Sequence, residues 1–149
     1  MLVNNLLLLL SSLLFLQFST AASVARGTED SQPCPDPPDF SNIPDKTSSG
    51  KLMVLGRVQV VEGKEARWEQ IISDIKAFVE TGAEPGTLTY RATRVVDENA
   101  NPTGEYVNIE EYTSKEALLE HLRSPPACQF LRESSELLVS QVLEVVDEF

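Results

Sequence analysis

The sequence predicts one small α+β domain in the order β-α-β-β-α-β, with an extra helical segment before the last strand, the ferredoxin-like arrangement. Three observations carry that expectation. Runs rich in Val, Leu, Thr and Tyr recur at strand length, apolar residues at spacings of three and four mark helices between them, and Gly, Pro and capping residues punctuate the joints. With 149 residues, 42% hydrophobic and 23% charged, the chain can fill one core but not two.

The first strand is expected at Leu52–Val61. Its opening, Leu52-Met53-Val54-Leu55, is apolar on both faces, so both sides of the sheet need a cover: helices on one, a partner subunit on the other. Glu62-Gly63-Lys64 turns the chain into a long helix carrying Trp68, Ile71, Ile72, Ile75, Phe78 and Val79 on one stripe, and Gly82 stops it. After a Glu84-Pro85-Gly86 turn, Thr87–Val96 and Glu105–Tyr112 read as a hairpin, with Tyr106, Asn108, Glu110 and Tyr112 sharing one face. Thr113 with Glu116 three residues on has the pattern of a capping box, placing a helix start at Thr113. Ser124-Pro125-Pro126 ends that helix, a second helical piece carries Phe130, Leu131, Leu137 and Leu138, and the last strand is expected at roughly 141–149.

Ahead of this domain lie two segments of different character. Residues 1–22 have the layout of a secretory signal peptide: an unbroken leucine run at 6–10, further Leu and Phe to Phe18, then small residues offering cleavage after Ala21, Ala22 or Ala25. A single-span anchor is the rival reading, but the apolar stretch is shorter than the roughly 20 residues a bilayer requires. The mature protein is therefore expected to be secreted and free of the membrane. Residues 23–50 form a Pro-rich extension in which Pro33, Pro35, Pro37, Pro38 and Pro44 forbid a regular helix. The domain proper is expected at 51–149.

The formal charge of −11 repels phosphate and disfavours a nucleic-acid partner. Two cysteines, Cys34 in the extension and Cys128 near the end, lack the spacing of a zinc site. In an exported protein they are expected to form a disulfide tying the extension to the domain, against the alternative of two separate buried thiols.

Three blocks carry a resemblance: Glu62-Gly63-Lys64-Glu65 after the first strand, Glu84-Pro85-Gly86-Thr87-Leu88-Thr89-Tyr90, and Glu110-Glu111-Tyr112-Thr113-Ser114-Lys115-Glu116-Ala117-Leu118-Leu119-Glu120-His121. Over about residues 51 to 149 the chain resembles the antibiotic biosynthesis monooxygenase family. The resemblance implies a homodimer in which two sheets meet as an α+β barrel, with a pocket in each subunit between sheet and helices. It does not fix the chemistry, because one fold hosts many reactions. In haem-degrading relatives an Asn, a Trp and a His do the work. The matching positions here are Gly56, His121 and Leu131, so the resemblance implies no haem.

His121, the sole histidine, matches a pocket-lining His of the quinol and anthrone monooxygenases. Neutral imidazole, with an unperturbed pKa of about 6.5, is suited to deprotonating a phenol or enol near neutral pH. The electron-rich anion can then reduce dioxygen itself, so no cofactor is expected and the partners are a small aromatic substrate and O2. Glu110 is the expected orienting carboxylate, and Tyr106, Asn108, Tyr90 and Trp68 the expected substrate contacts; Arg91 and Arg94 fall on opposite strand faces, so at most one reaches a substrate oxygen. The competing readings are a packed helix histidine, a strand Glu in a salt bridge and a core Trp. For the whole protein they are a silent ligand-binding or interaction protein, or an isomerase using the same base.

Overall fold

A computed structural model describes residues 32–149; the expected signal peptide lies outside them. The elements run β1 (Leu52–Val60), α1 (Glu65–Glu80), β2 (Thr87–Val96), β3 (Pro102–Tyr112), α2 (Lys115–His121), α3 (Pro125–Leu137) and β4 (Leu138–Val146). The strands form one antiparallel sheet in the order β2-β3-β1-β4. This is the α+β ferredoxin-like fold.

Strand pairing fixes the faces. Gly56 stands opposite Asn108, which stands opposite Ala92; one step along, Val54, Glu110 and Tyr90 form the next cross-strand row. These residues share the face on which the helices pack. Toward one end, Val58, Val60 and Tyr106 bury Trp68, Ile71, Ile72 and Ile75 of α1 together with Leu137. Toward the other, Leu52, Val54 and Tyr112 bury Ala117 and Leu118 of α2. The opposite face carries Met53 and Leu55 of β1, Val107 and Ile109 of β3 and Val142 and Val146 of β4, and Val142 is 52% exposed.

Two joints differ from expectation. Ser114, not Thr113, caps α2, its hydroxyl accepting from Ala117 N at 3.3 Å. Thr113 is used elsewhere: its N–H donates to Gly86 O at 2.9 Å, holding the helix start against the β2 entry turn. Pro125 and Pro126 do not merely end a helix but open α3, where a missing N–H costs nothing. The last strand begins at Leu138, three residues before the expected start, because α3 passes into β4 without a loop.

The Pro-rich extension folds with the domain, since Pro33–Phe149 is one compact unit. Phe40 is buried beside Leu52, Tyr112 and Leu118, and Cys34 is disulfide-bonded to Cys128 across 94 residues of chain. Among the described residues no helix is long and apolar enough to cross a membrane.

Candidate functional site

The chemistry-bearing side chains meet where α2 crosses the ends of β2 and β3. Thr87 N donates to Glu84 O at 3.0 Å, closing a tight turn with Pro85 and Gly86 at its centre. That turn carries Glu84 back over the sheet. Glycine is required at its third position by proximity: a Cβ on Gly86 would lie 2.6 Å from the Ala117 Cβ and 3.2 Å from Thr113 Oγ1. Gly86→Ala should therefore push α2 away and cost about 1–3 kcal/mol of stability, read as a lower urea midpoint.

His121, the last residue of α2, faces this turn. Its Nδ1 lies 2.6 Å from Glu84 Oε2, and only 4% of the imidazole and 9% of the Glu84 side chain are exposed. Thr87 Oγ1 donates to the same carboxylate oxygen at 3.0 Å. Tyr90 and Tyr112 flank the imidazole, their ring centroids 5.3 and 5.6 Å away. Glu110 accepts a 2.5 Å hydrogen bond from Tyr112 Oη. The expected pairing of Glu110 with His121 is thus replaced: Glu84 takes the imidazole hydrogen bond, and Glu110 takes that of the Tyr112 hydroxyl.

The two carboxylates are tuned in opposite directions. Burial acts most strongly on Glu84 and would raise its pKa, but the hydrogen bond and charge of His121, with the Thr87 hydroxyl, outweigh it and hold the group below the ordinary 4.5. For Glu110 burial prevails over the pull of His121 and the Tyr112 hydroxyl, and the pKa rises. Burial and the neighbouring carboxylates also push both tyrosine hydroxyls far up, so Tyr90 and Tyr112 stay protonated.

Linkage gives each shift a sign. Glu84 contributes stability above 4.5 that is lost as the pH falls through its lowered folded value. Glu110 contributes stability fully present below 4.5 and lost as the pH rises through its raised folded value. Glu110→Gln keeps an oxygen for Tyr112 and should raise Tm near pH 7, with the gain shrinking toward about pH 4. Thermal unfolding across that range checks it.

An ionised Glu84 accepting from Nδ1 fixes the tautomer. Neutral His121 then carries its lone pair on Nε2, the arrangement of an oriented general base. The adjoining row of the sheet, about 7 Å along the strands, holds the features of a receiving surface. A Cβ added at Gly56 would meet only the Asn108 Cβ, at 3.8 Å, so there is room directly over the glycine. Beside it Asn108 is 8% exposed, and its buried Oδ1 has no hydrogen-bond partner among the described residues.

The remaining expected contacts lie elsewhere. Trp68 and Tyr106 stack on each other with centroids 5.9 Å apart, and Trp68 meets Phe130 edge-on. They border an open cleft of about 240 Å³ between α1 and β2, with Ile72, Lys76, Arg94 and Ala92, the neighbour of Asn108, on its walls. Three of its polar groups pair with one another: Glu69 Oε1 accepts from Tyr106 Oη at 2.8 Å and meets Arg94 at 3.1 Å. Burial and that carboxylate push the Tyr106 hydroxyl up to about 12. Arg94 therefore faces this cleft, while Arg91 is on the helix-free face.

These residues fall inside a recognisable domain. The family model of the antibiotic biosynthesis monooxygenases matches residues 51–133. The chain belongs to the antibiotic biosynthesis monooxygenase family. A Caulobacter crescentus protein carrying that family's name is 28% identical with a TM-score of 0.58, the match covering 67% of this chain and 91% of that one. A Bacteroides thetaiotaomicron protein of the same description is 16% identical, TM-score 0.58, with 69% and 93% covered. A Pseudomonas aeruginosa protein is 18% identical, TM-score 0.57, with 69% and 98% covered. These last two likenesses show the fold alone. No curated protein matches the chain. Haem does not suit this member's residues, since Gly56 on β1 and Leu131 on α3 offer no ligand atom. Among the described residues no cluster of three His, Cys, Asp or Glu could hold a metal ion.

Sequence reasoning missed Glu84. The signal was present in the Glu-Pro-Gly turn, where a carboxylate precedes a glycine that a helix closely approaches.

Proposed function

We propose that the protein is a secreted, cofactor-independent monooxygenase that oxidises a small phenol, anthrone or quinol with dioxygen. The observation that carries this is the enclosed His121–Glu84 pair, 2.6 Å apart, at the end of a sheet face with room above Gly56. A substrate seated there would donate a hydroxyl hydrogen to Asn108 Oδ1 and present its acidic proton toward His121. Neutral imidazole takes the proton on Nε2, Glu84 stabilises the imidazolium, and the carbanion or phenolate passes electrons to dioxygen. One oxygen atom is bonded to the substrate; the other leaves as water, its reducing electrons drawn from the substrate's own C–H or O–H bonds.

Oxygen uptake with a panel of anthrones and hydroquinones, comparing wild type with His121→Ala, tests the reading. One observation favours a second: His121 is only 3% exposed, as a purely structural histidine would be. Under that reading ligands bind without uptake, and the two variants are alike in oxygen consumption.

The functional unit we propose is a homodimer joined through the helix-free sheet face, where Leu55 and Ile109 stand opposite each other and Val142 is exposed. Apolar side chains here lack the cover they have on the other face. Ile109→Glu places a charge in that patch and should convert the dimer to monomer, measured by sedimentation.

A further inference from the structure

The segment before the family domain touches both ends of the helix that carries His121. Helix α2 is seven residues long, too short to persist by its own hydrogen bonds, so its position depends on what packs against it. At its N-terminal end Asp45 Oδ1 accepts from Lys115 N at 3.2 Å, and Ile43 O accepts from Lys115 Nζ at 3.1 Å. Along its buried face Phe40 lies with Ala117, Leu118 and Tyr112 in one cluster, joined by Ile43 and Leu122. Past its C-terminal end, Cys34 is bonded to Cys128 in the first turn of α3. That turn leads straight back to the site: Cys128 N donates to Ser124 O at 2.8 Å, and Ser124 N donates to His121 O at 3.0 Å.

We infer that residues 33–50 act as a strap that positions His121: Phe40 and the Cys34–Cys128 bond hold α2 against the Glu84 turn, and releasing the strap frees the imidazole from Glu84 while the sheet stays folded. Residues 33–50 precede the matched family domain of 51–133, so the strap is an addition of this chain to the common fold. The segment also packs Phe40 on Leu52, Val54 and Tyr112 at one end of the sheet, but the β1–β3, β1–β4 and β2–β3 ladders and the Trp68 core hold the rest of it. Phe40 and Cys34 are positioning residues, acting through α2 rather than on substrate. The inference rests on His121 being the working base, but its test needs no substrate.

The chain has a single histidine, so NMR of the ring nitrogens through the non-exchanging imidazole protons reports His121 without ambiguity. In the oxidised wild type the pattern should be that of the Nδ1–H tautomer. In Cys34→Ser and in Phe40→Ala it should move to the mixed pattern of a solvent-exposed imidazole, while the amide resonances around the Trp68 core, at Val58, Val60 and Tyr106, keep their positions. Phe40→Leu, which refills the cluster, should restore the Nδ1–H pattern. A variant that lowers Tm but keeps the Nδ1–H pattern would overturn the strap, leaving the segment a simple stabiliser. Should Phe40→Ala fail to fold, Cys34→Ser and thiol reduction of the wild type give the same reading. A wild type lacking the Nδ1–H pattern would instead overturn the Glu84 pair itself, which separates failure of the site from failure of the strap.

Discussion

His121→Ala should lower kcat/KM for oxygen uptake by about 10²–10⁴-fold, the usual contribution of a positioned general base, while leaving the fold intact. Retained folding is expected because the sheet ladders and the packing of Trp68 on Tyr106 and Phe130 do not involve the imidazole. Glu84→Gln should give a smaller loss, since the amide can still accept from Nδ1 but cannot stabilise the imidazolium by charge. Combining the two should cost no more than His121→Ala alone, because Glu84 acts only through the imidazole. Steady-state oxygen consumption across the four proteins measures all of this. A double variant much worse than His121→Ala would mean that Glu84 has a separate role.

Removing the Cys34–Cys128 bond should produce the largest stability loss. The bond closes a loop of 94 residues, and its absence enlarges the unfolded ensemble by an amount worth roughly 2–5 kcal/mol. Urea unfolding with and without a thiol reductant measures the difference. A change within error would show that the extension's other contacts already restrict the chain, with Phe40 and the Lys115 contacts to Asp45 and Ile43 the first to consider. This equilibrium effect is distinct from strap release, which is read on the folded protein.

Most of the fold was legible because periodicity and punctuation agreed. Thr87–Val96 was bounded by a Pro-Gly turn on one side and an Asp-Asn loop on the other, and the strand occupies those residues. Alternation along β3 placed Tyr106, Asn108, Glu110 and Tyr112 on one face, and pairing with β1 and β2 puts that face under the helices. Alternation could not say which helix covers which part of the face. Tyr106 and Tyr90 therefore looked like one lining, although Trp68 covers the first and His121 the second.

The orienting carboxylate was hidden for a similar reason. Glu110 is eleven residues before His121 on the adjoining strand, a local relation that pattern reading detects. Glu84 is 37 residues away and reaches the imidazole only because Gly86 lets the turn and α2 close on each other. Helix starts were ambiguous where two hydroxyls stand side by side: Thr113 and Ser114 can both cap, and the bond from Thr113 N to Gly86 O leaves the task to Ser114. The extension's proline content forecast an irregular backbone, but nothing in its composition marked Phe40 as core, which only the docking of the segment against α2 decides.

The central claim is that this member of the antibiotic biosynthesis monooxygenase family oxidises an aromatic substrate by its own residues. Turnover of an anthrone or hydroquinone by protein stripped with chelator, under isotopically labelled dioxygen, tests it most directly. The account predicts one labelled oxygen atom in each product molecule, with the label and the oxygen uptake both lost in His121→Ala. No oxygen uptake by the wild type across the panel, or product oxygen drawn from water, would contradict it.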